Sequence, residues 1–114
     1  MSRKMDTTGE SEVSAKLKIY LKVHRRGCEV LVAACDAELA GKKLVDERFC
    51  LTLHKEFYMG TLVSDDEFLA YMQTATIANL FGKHTVSLAM RNGYIEKGNI
   101  IKVAGVPHAQ MVVI

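Results

Sequence analysis

The first residues that could do chemistry form a cationic and aromatic row near the N-terminus. The row takes every second position and is followed directly by two arginines; its members are Lys16, Lys18, Tyr20, Lys22 and His24, then Arg25 and Arg26. Cations contact phosphates and an aromatic ring stacks on a base, so this row is typical of a surface for single-stranded RNA. Alternatively, these side chains only keep an exposed sheet face soluble or protect an edge strand from pairing.

A second group lies in the C-terminal hexapeptide GVPHAQ, residues 105–110. Gly105 and Pro107 restrict the path of a predicted loop, so His108 and Gln110 should be presented in a fixed orientation. A histidine held in this way could act as a general acid or base, or as a ligand. Alternatively, the proline only ends a strand and the polar residues near it bond the backbone.

The third group is Cys35, Asp36 and Glu38, at the end of an apolar segment. A reactive thiol needs a neighbouring histidine or cation that lowers its pKa, and the spacing selects none of the four histidines. A buried, inert cysteine is therefore the alternative. We expect His108 to share a surface with Asp36 or Glu38, the polar end of this other motif. A carboxylate that close would raise the histidine pKa.

Metal and cofactor sites are not predicted. The three cysteines are an odd number and lack the paired spacing of zinc sites or disulfide frameworks. Sequence motifs of phosphate-binding loops, dinucleotide-binding folds and zinc proteases are absent.

Strands must position most of these residues. Residues 17–23 alternate between apolar and polar, which predicts a half-buried strand, and the apolar run 28–35 predicts a second strand that is buried on both faces. The Arg25-Arg26-Gly27 turn should join them as a hairpin. Further strands are predicted at residues 48–54 and 58–63 and in a closing hairpin of residues 99–104 and 109–114.

The central part of the chain predicts helices. Residues 64–67, Ser-Asp-Asp-Glu, form a capping box, which should start one helix. A second helix is predicted from an apolar stripe at helical spacing, with Gly82 as a kink in its interior; the stripe consists of Ile77, Leu80, Phe81, His84 and Leu88. On that helix, His84 would be a core or boundary histidine.

The bulk properties fit one α+β domain. The chain has 114 residues, enough for one core, with N-terminal antiparallel strands, central helices and a C-terminal hairpin around it. We expect residues 1–14 to be a flexible tail and residues 15–114 to be the domain. The net charge of +2 is too small to indicate nucleic acid by itself. With no long apolar segment and no signal peptide, we expect a cytoplasmic protein without membrane contact.

Four motifs along the chain resemble an archaeal domain-of-unknown-function family, the one numbered 424. They are CDAELAGK at 35–42, EFYMG at 56–60, TIANLFG at 76–82 and GVPHAQ at 105–110, and the resemblance runs from about Leu21 to the C-terminus. It implies an archaeal, cytoplasmic protein with the four motifs as its candidate functional surface, and a loose association with RNA and translation. The resulting candidates for a ligand site are Cys35, Asp36, Glu38, Asn79, Pro107, His108 and Gln110.

The leading prediction is a non-catalytic protein that binds RNA or is associated with translation, with RNA or ribosome-associated factors as partners. The alternative is a small-ligand-binding protein or an enzyme that uses GVPHAQ with Cys35 and Asp36. A third possibility is a protein-interaction subunit with an exposed apolar patch. The sequence indicates no oligomeric state.

Overall fold

The structure, a computed structural model, describes residues 17–113, which form a six-stranded mixed sheet and a small two-stranded ribbon. The predicted tail and Lys16 lie outside the described residues. In chain order the elements are β1 (Ile19–Arg26), β2 (Glu29–Asp36), a 3-10 turn (Ala37–Leu39), β3 (Lys43–Val45), β4 (Cys50–Thr52), α1 (Lys55–Tyr58), β5 (Thr61–Val63), α2 (Asp65–Met72), β6 (Ile77–Phe81), α3 (Lys83–Arg91), a 3-10 turn (Lys97–Asn99), β7 (Ile101–Val103) and β8 (Val106–Val112).

The main sheet has the strand order β5-β1-β2-β6-β8-β7. The predicted hairpin of β1 and β2 is confirmed, and β2 then pairs in parallel with β6, which pairs in antiparallel with β8. From Val32 to Cys35 every residue of β2 is fully buried, as the apolar run predicts for a central strand. The α+β class and the C-terminal hairpin, β7 with β8, are also confirmed.

Alternation along the strands divides the core between two faces of the sheet. The face that packs against α2 and α3, called here the helix face, contains Ile19, Val32, Ala34 and Leu80 with Phe68 of α2. The opposite face, called here the ribbon face, contains Ala33, Cys35 and Phe81, and packs against α1, the first 3-10 turn and the β3–β4 ribbon. None of the helices in residues 17–113 is long and apolar enough to cross a membrane.

The predicted start of α2 is confirmed by its capping box. The Glu67 backbone N–H donates to Ser64 Oγ at 3.2 Å, and the Ser64 N–H donates to Glu67 Oε1 at 2.9 Å. Both backbone donors would otherwise lack a partner at the helix end. This cap involves residues only three positions apart.

The predicted helix through residues 77–88 is wrong in its first half, because Ile77–Phe81 is strand β6. A short, largely apolar segment satisfies helical spacing by chance, and here its pairing with β2 and β8 makes it a central strand. Gly82 is the N-cap of α3 and has a φ of +113°, which ends the strand. It is therefore not a kink inside a helix.

Three smaller predictions also change. The GVPHAQ segment is not a loop: the turn is Ala104-Gly105, with φ values of +52° and +82°, and Pro107, His108 and Gln110 lie in strand β8. The predicted strand at 58–63 starts only at Thr61, since Tyr58 ends α1. The predicted strand at 48–54 is shortened to Cys50–Thr52.

Candidate functional site

Residues from all four sequence motifs meet on the ribbon face. Two rows of side chains cross the strands there: one runs from Cys35 through Phe81 to His108, and the next runs from Ala33 through Asn79 to Gln110. Residues in register on neighbouring strands project to the same side of a sheet, so each row presents its side chains together. The fourth motif contributes Tyr58, which reaches this face from α1.

Tyr58 connects α1 to the sheet through its hydroxyl, which donates to Asn79 Oδ1 at 3.0 Å. The side chain is 5% exposed, and burial raises the pKa of Tyr58, so the phenol stays protonated and remains a donor. Sequence reasoning did not single out Tyr58, although the EFYMG motif contained it. We call Tyr58, Asn79, His108 and Gln110 the polar sheet site.

His108 is held as a neutral imidazole. Its ring stacks on Phe81 with centroids 3.9 Å apart, and Nδ1 lies 2.9 Å from the Leu80 carbonyl oxygen. Burial lowers the pKa of His108, and the bond to the Leu80 carbonyl opposes this only in part. Because a carbonyl oxygen can only accept, Nδ1 carries the hydrogen and Nε2 is left as an acceptor.

The side-chain amides of Asn79 and Gln110 differ in how far their hydrogen-bonding groups are engaged within the protein. Asn79 is half-buried and its Oδ1 accepts from Tyr58, which leaves the amide NH₂ as a donor. Gln110 is exposed and lies directly opposite Asn79 in the register. The polar sheet site therefore offers an amide donor, a complete amide and an imidazole acceptor within one small area.

Asp36 does not join this site, because it follows Cys35 by one residue and projects to the helix face. It is 5% exposed and caps α3: Oδ2 accepts from the His84 N–H at 3.0 Å, and Oδ1 accepts from the Thr85 N–H and hydroxyl, each at 2.8 Å. The expected shared surface of His108 and Asp36 is therefore wrong. Glu38 lines a cleft with Asp36 instead.

Cys35 is held in a form that is not nucleophilic. It is fully buried, and burial, assisted by the negative charges of Asp36 and Glu38, raises the pKa of the thiol to about 12. The thiolate is the reactive form of cysteine, so a thiol with this pKa is inert near neutral pH. This geometry favours the alternative of a structural cysteine.

The N-terminal cationic row is not one open surface, contrary to expectation. Helix α1 lies over its middle: Lys22 Nζ donates to the Glu56 carbonyl at 2.7 Å, and the His24 ring stacks on Phe57 at 4.6 Å. Half-buried Tyr20 packs in the ribbon-face core. Lys18, Arg25 and Arg26 are exposed, but strand alternation directs the two arginines to opposite faces.

The remaining candidate for the ligand site, Pro107, has a positioning role. Pro107 lies inside β8, and its carbonyl accepts the Gly82 N–H at 2.8 Å, which fixes the strand beside the start of α3. Among residues 17–113, no group of three or more histidine, cysteine, aspartate or glutamate side chains could hold a metal ion.

Comparison with known proteins agrees with the motif resemblance. A family model described as a protein of unknown function, DUF424, matches residues 24–114. The structure is similar to the crystal structure of an uncharacterized conserved protein from Methanopyrus kandleri, with 25% sequence identity and a TM-score of 0.72 over 82% of this chain and 90% of that one. No curated protein matches the chain.

Proposed function

The chain belongs to the DUF424 family, and from the geometry of its own residues we propose a non-catalytic protein that binds single-stranded RNA at the polar sheet site. The observation that carries this proposal is the side-by-side placement of the Asn79 and Gln110 amides on two paired strands. Unpaired bases are recognised through hydrogen bonds to their edges and by stacking on flat rings. The site offers amides and an imidazole acceptor for such recognition.

Cations for the RNA backbone lie in the same region of the ribbon face. Lys22 is in register with Ala33, and therefore in the same row across the sheet as Asn79 and Gln110. β1 and β6 are two strand spacings apart, which is about 10 Å. Because α1 lies over Lys22, an RNA strand would pass beside α1, with its bases at the amides and its phosphates near the exposed Arg26.

The state of the reactive groups supports binding rather than catalysis. The Cys35 thiol is buried and protonated, and both carboxylate oxygens of Asp36 are bonded to the start of α3. The alternative of an enzyme that uses GVPHAQ with Cys35 and Asp36 needs His108 near both residues. Because side chains alternate between the two faces of the sheet, His108 shares the ribbon face with Cys35 but not with Asp36.

A negative charge introduced at the polar sheet site tests this proposal. Gln110→Glu adds a negative charge that should repel phosphates, so binding of a short single-stranded RNA should weaken roughly tenfold at about 50 mM salt. Gln73→Glu is the matched control, because Gln73 is an exposed glutamine at the end of α2, on the helix face. Fluorescence anisotropy with labelled RNA measures both.

Two results would contradict the proposal. If both variants bound RNA as tightly as the wild-type chain, the RNA surface would lie elsewhere. If the wild-type chain bound no RNA, RNA binding itself would be wrong.

We also propose that the protein is archaeal, works in the cytoplasm and acts in translation with ribosome-associated factors. The support is the loose association of the family resemblance with RNA and translation, together with the RNA-binding proposal. Sedimentation of a native extract provides the test: the wild-type chain should travel with ribosomal fractions and the Gln110→Glu variant should not. A wild-type chain that stays entirely in the light fractions would contradict the translation part.

A further inference from the structure

A cleft of about 370 Å³ lies at the carboxyl ends of β2 and β6; it is lined by Asp36, Glu38, Lys83, His84, Ser87 and Arg91. β2 and β6 are neighbouring parallel strands, and the chain leaves them in opposite directions. After β2 it enters the ribbon-face core at Leu39, whereas after β6 it continues into α3 on the helix face. In open sheets, ligands bind in crevices at the carboxyl ends of strands where the connections diverge in this way.

The backbone N–H groups at the start of α3 are not available to a ligand in this cleft. Asp36 already accepts the backbone N–H groups of His84 and Thr85, so those donors are used within the fold. His84 is also engaged, because its Nε2 lies 2.7 Å from Asp65 Oδ1. What remains for a ligand is the side-chain face of α3 that lines the cleft, rather than its first backbone donors.

That side of α3 presents Lys83, Ser87 and Arg91, which follow one another at intervals of four residues. Residues with this spacing lie on one helix face, and each is about 6 Å along the axis from the next. In the part of the chain that the structure describes, neither Lys83 nor Arg91 forms an ion pair. Two cationic side chains without an ion-pair partner among the described residues therefore lie on either side of Ser87, and both are long enough to reach towards its hydroxyl.

Glu38 adds a negatively charged side chain to the cleft, which contrasts with the cations of α3. It is exposed and belongs to the 3-10 turn after β2, so it faces the same space from the other connection. An ionised carboxylate only accepts hydrogen bonds, and it repels a further anion. The ligand part beside Glu38 must therefore be a hydrogen-bond donor without negative charge, and hydroxyl groups satisfy this requirement.

From this arrangement we propose that the cleft binds a small phosphorylated polyol, such as a sugar phosphate. The phosphate lies between Lys83 and Arg91 and accepts from the Ser87 hydroxyl, while sugar hydroxyls donate to Glu38. The cleft volume is within the range of small-molecule sites. This inference does not depend on RNA binding, because the polar sheet site lies on the ribbon face.

The experiment uses the full chain and three probes: ribose 5-phosphate, inorganic phosphate and ribose. Each is titrated separately into ¹⁵N-labelled protein while the backbone amide signals of α3 are followed. Ribose 5-phosphate should bind most tightly, inorganic phosphate more weakly and ribose not measurably, with the shifts concentrated from Lys83 to Arg91. Equal binding of ribose and ribose 5-phosphate, or shifts only outside the cleft, would overturn the proposal.

Variants separate the two ends of the cleft. Lys83→Gln combined with Arg91→Gln should weaken ribose 5-phosphate binding at least tenfold. Lys43→Gln combined with Arg48→Gln removes the same charge from exposed residues outside the cleft and should change nothing. Glu38→Gln should reduce the preference for ribose 5-phosphate over inorganic phosphate while phosphate binding persists. Unchanged affinity in the Lys83/Arg91 variant would refute the site, whatever the outcome of the RNA experiment.

Discussion

Helices α2 and α3 start in different ways. The first turn of α2 is capped from within, by Ser64 and Glu67 three residues apart. The first turn of α3 follows Gly82, which has no side chain to offer, and its cap is Asp36, whose carboxylate accepts from residues 48 and 49 positions later in the chain. A local cap stabilises one helix, whereas the long-range cap also attaches α3 to the end of β2. We therefore expect damage to the α3 cap to cost more stability than damage to the α2 cap.

The largest effect is expected at Gly82. A Cβ added there would clash with the carboxylate of Asp36, and the φ of +113° is unfavourable for any other residue. Gly82→Ala should therefore lower the free energy of unfolding by about 3 kcal/mol, through combined strain and overpacking. Gly98→Ala is the control, since nothing lies within 4 Å of its added Cβ. Urea unfolding of both variants measures the difference; equal midpoints would mean that the start of α3 can shift away from Asp36.

A smaller loss is expected when the long-range cap keeps its shape but loses its charge. In Asp36→Asn, one of the two accepting oxygens becomes an NH₂ group, so at least one buried donor of α3 loses its partner. The expected cost is about 2 kcal/mol. Asp66→Asn removes an exposed charge from the first turn of α2 and should cost about 0.5 kcal/mol. Thermal melts rank the two, and an equal loss would show that the α3 cap is no stronger than a surface charge.

Of the three cap positions, Gly82, Asp36 and Ser64, the local cap at Ser64 should give the smallest effect. Ser64→Ala removes the acceptor of the Glu67 N–H, a group that water can reach once the serine is gone. We expect a loss of about 1 kcal/mol in the free energy of unfolding. Glu67→Gln keeps an oxygen for the Ser64 N–H and should cost less. If Ser64→Ala destabilised the protein as much as Asp36→Asn, the distinction between local and long-range caps would fail.

The two caps also account for what the sequence revealed about the helices. Ser64 and Glu67 are visible as a pattern because both partners lie within four residues, and α2 was correctly predicted. Asp36 has no sequence relation to Gly82, so the start of α3 could not be found. Without that boundary, the apolar residues on both sides of Gly82 looked like one helical stripe. Pairing of Ile77–Phe81 with β2 and β8 decided that this segment is a strand.

The same division applies to the candidate site. The sequence alone determined the β1–β2 hairpin, the buried strand and the motif residues Asn79, His108 and Gln110, because these depend on residue type and on short-range patterns. Only the tertiary structure decided which of them meet. Strand order brought Asn79 beside Gln110, α1 added Tyr58, and alternation along β2 directed Asp36 away from His108. A shift of one residue along a strand reverses the face of a side chain, and that choice is made by the burial of the whole sheet.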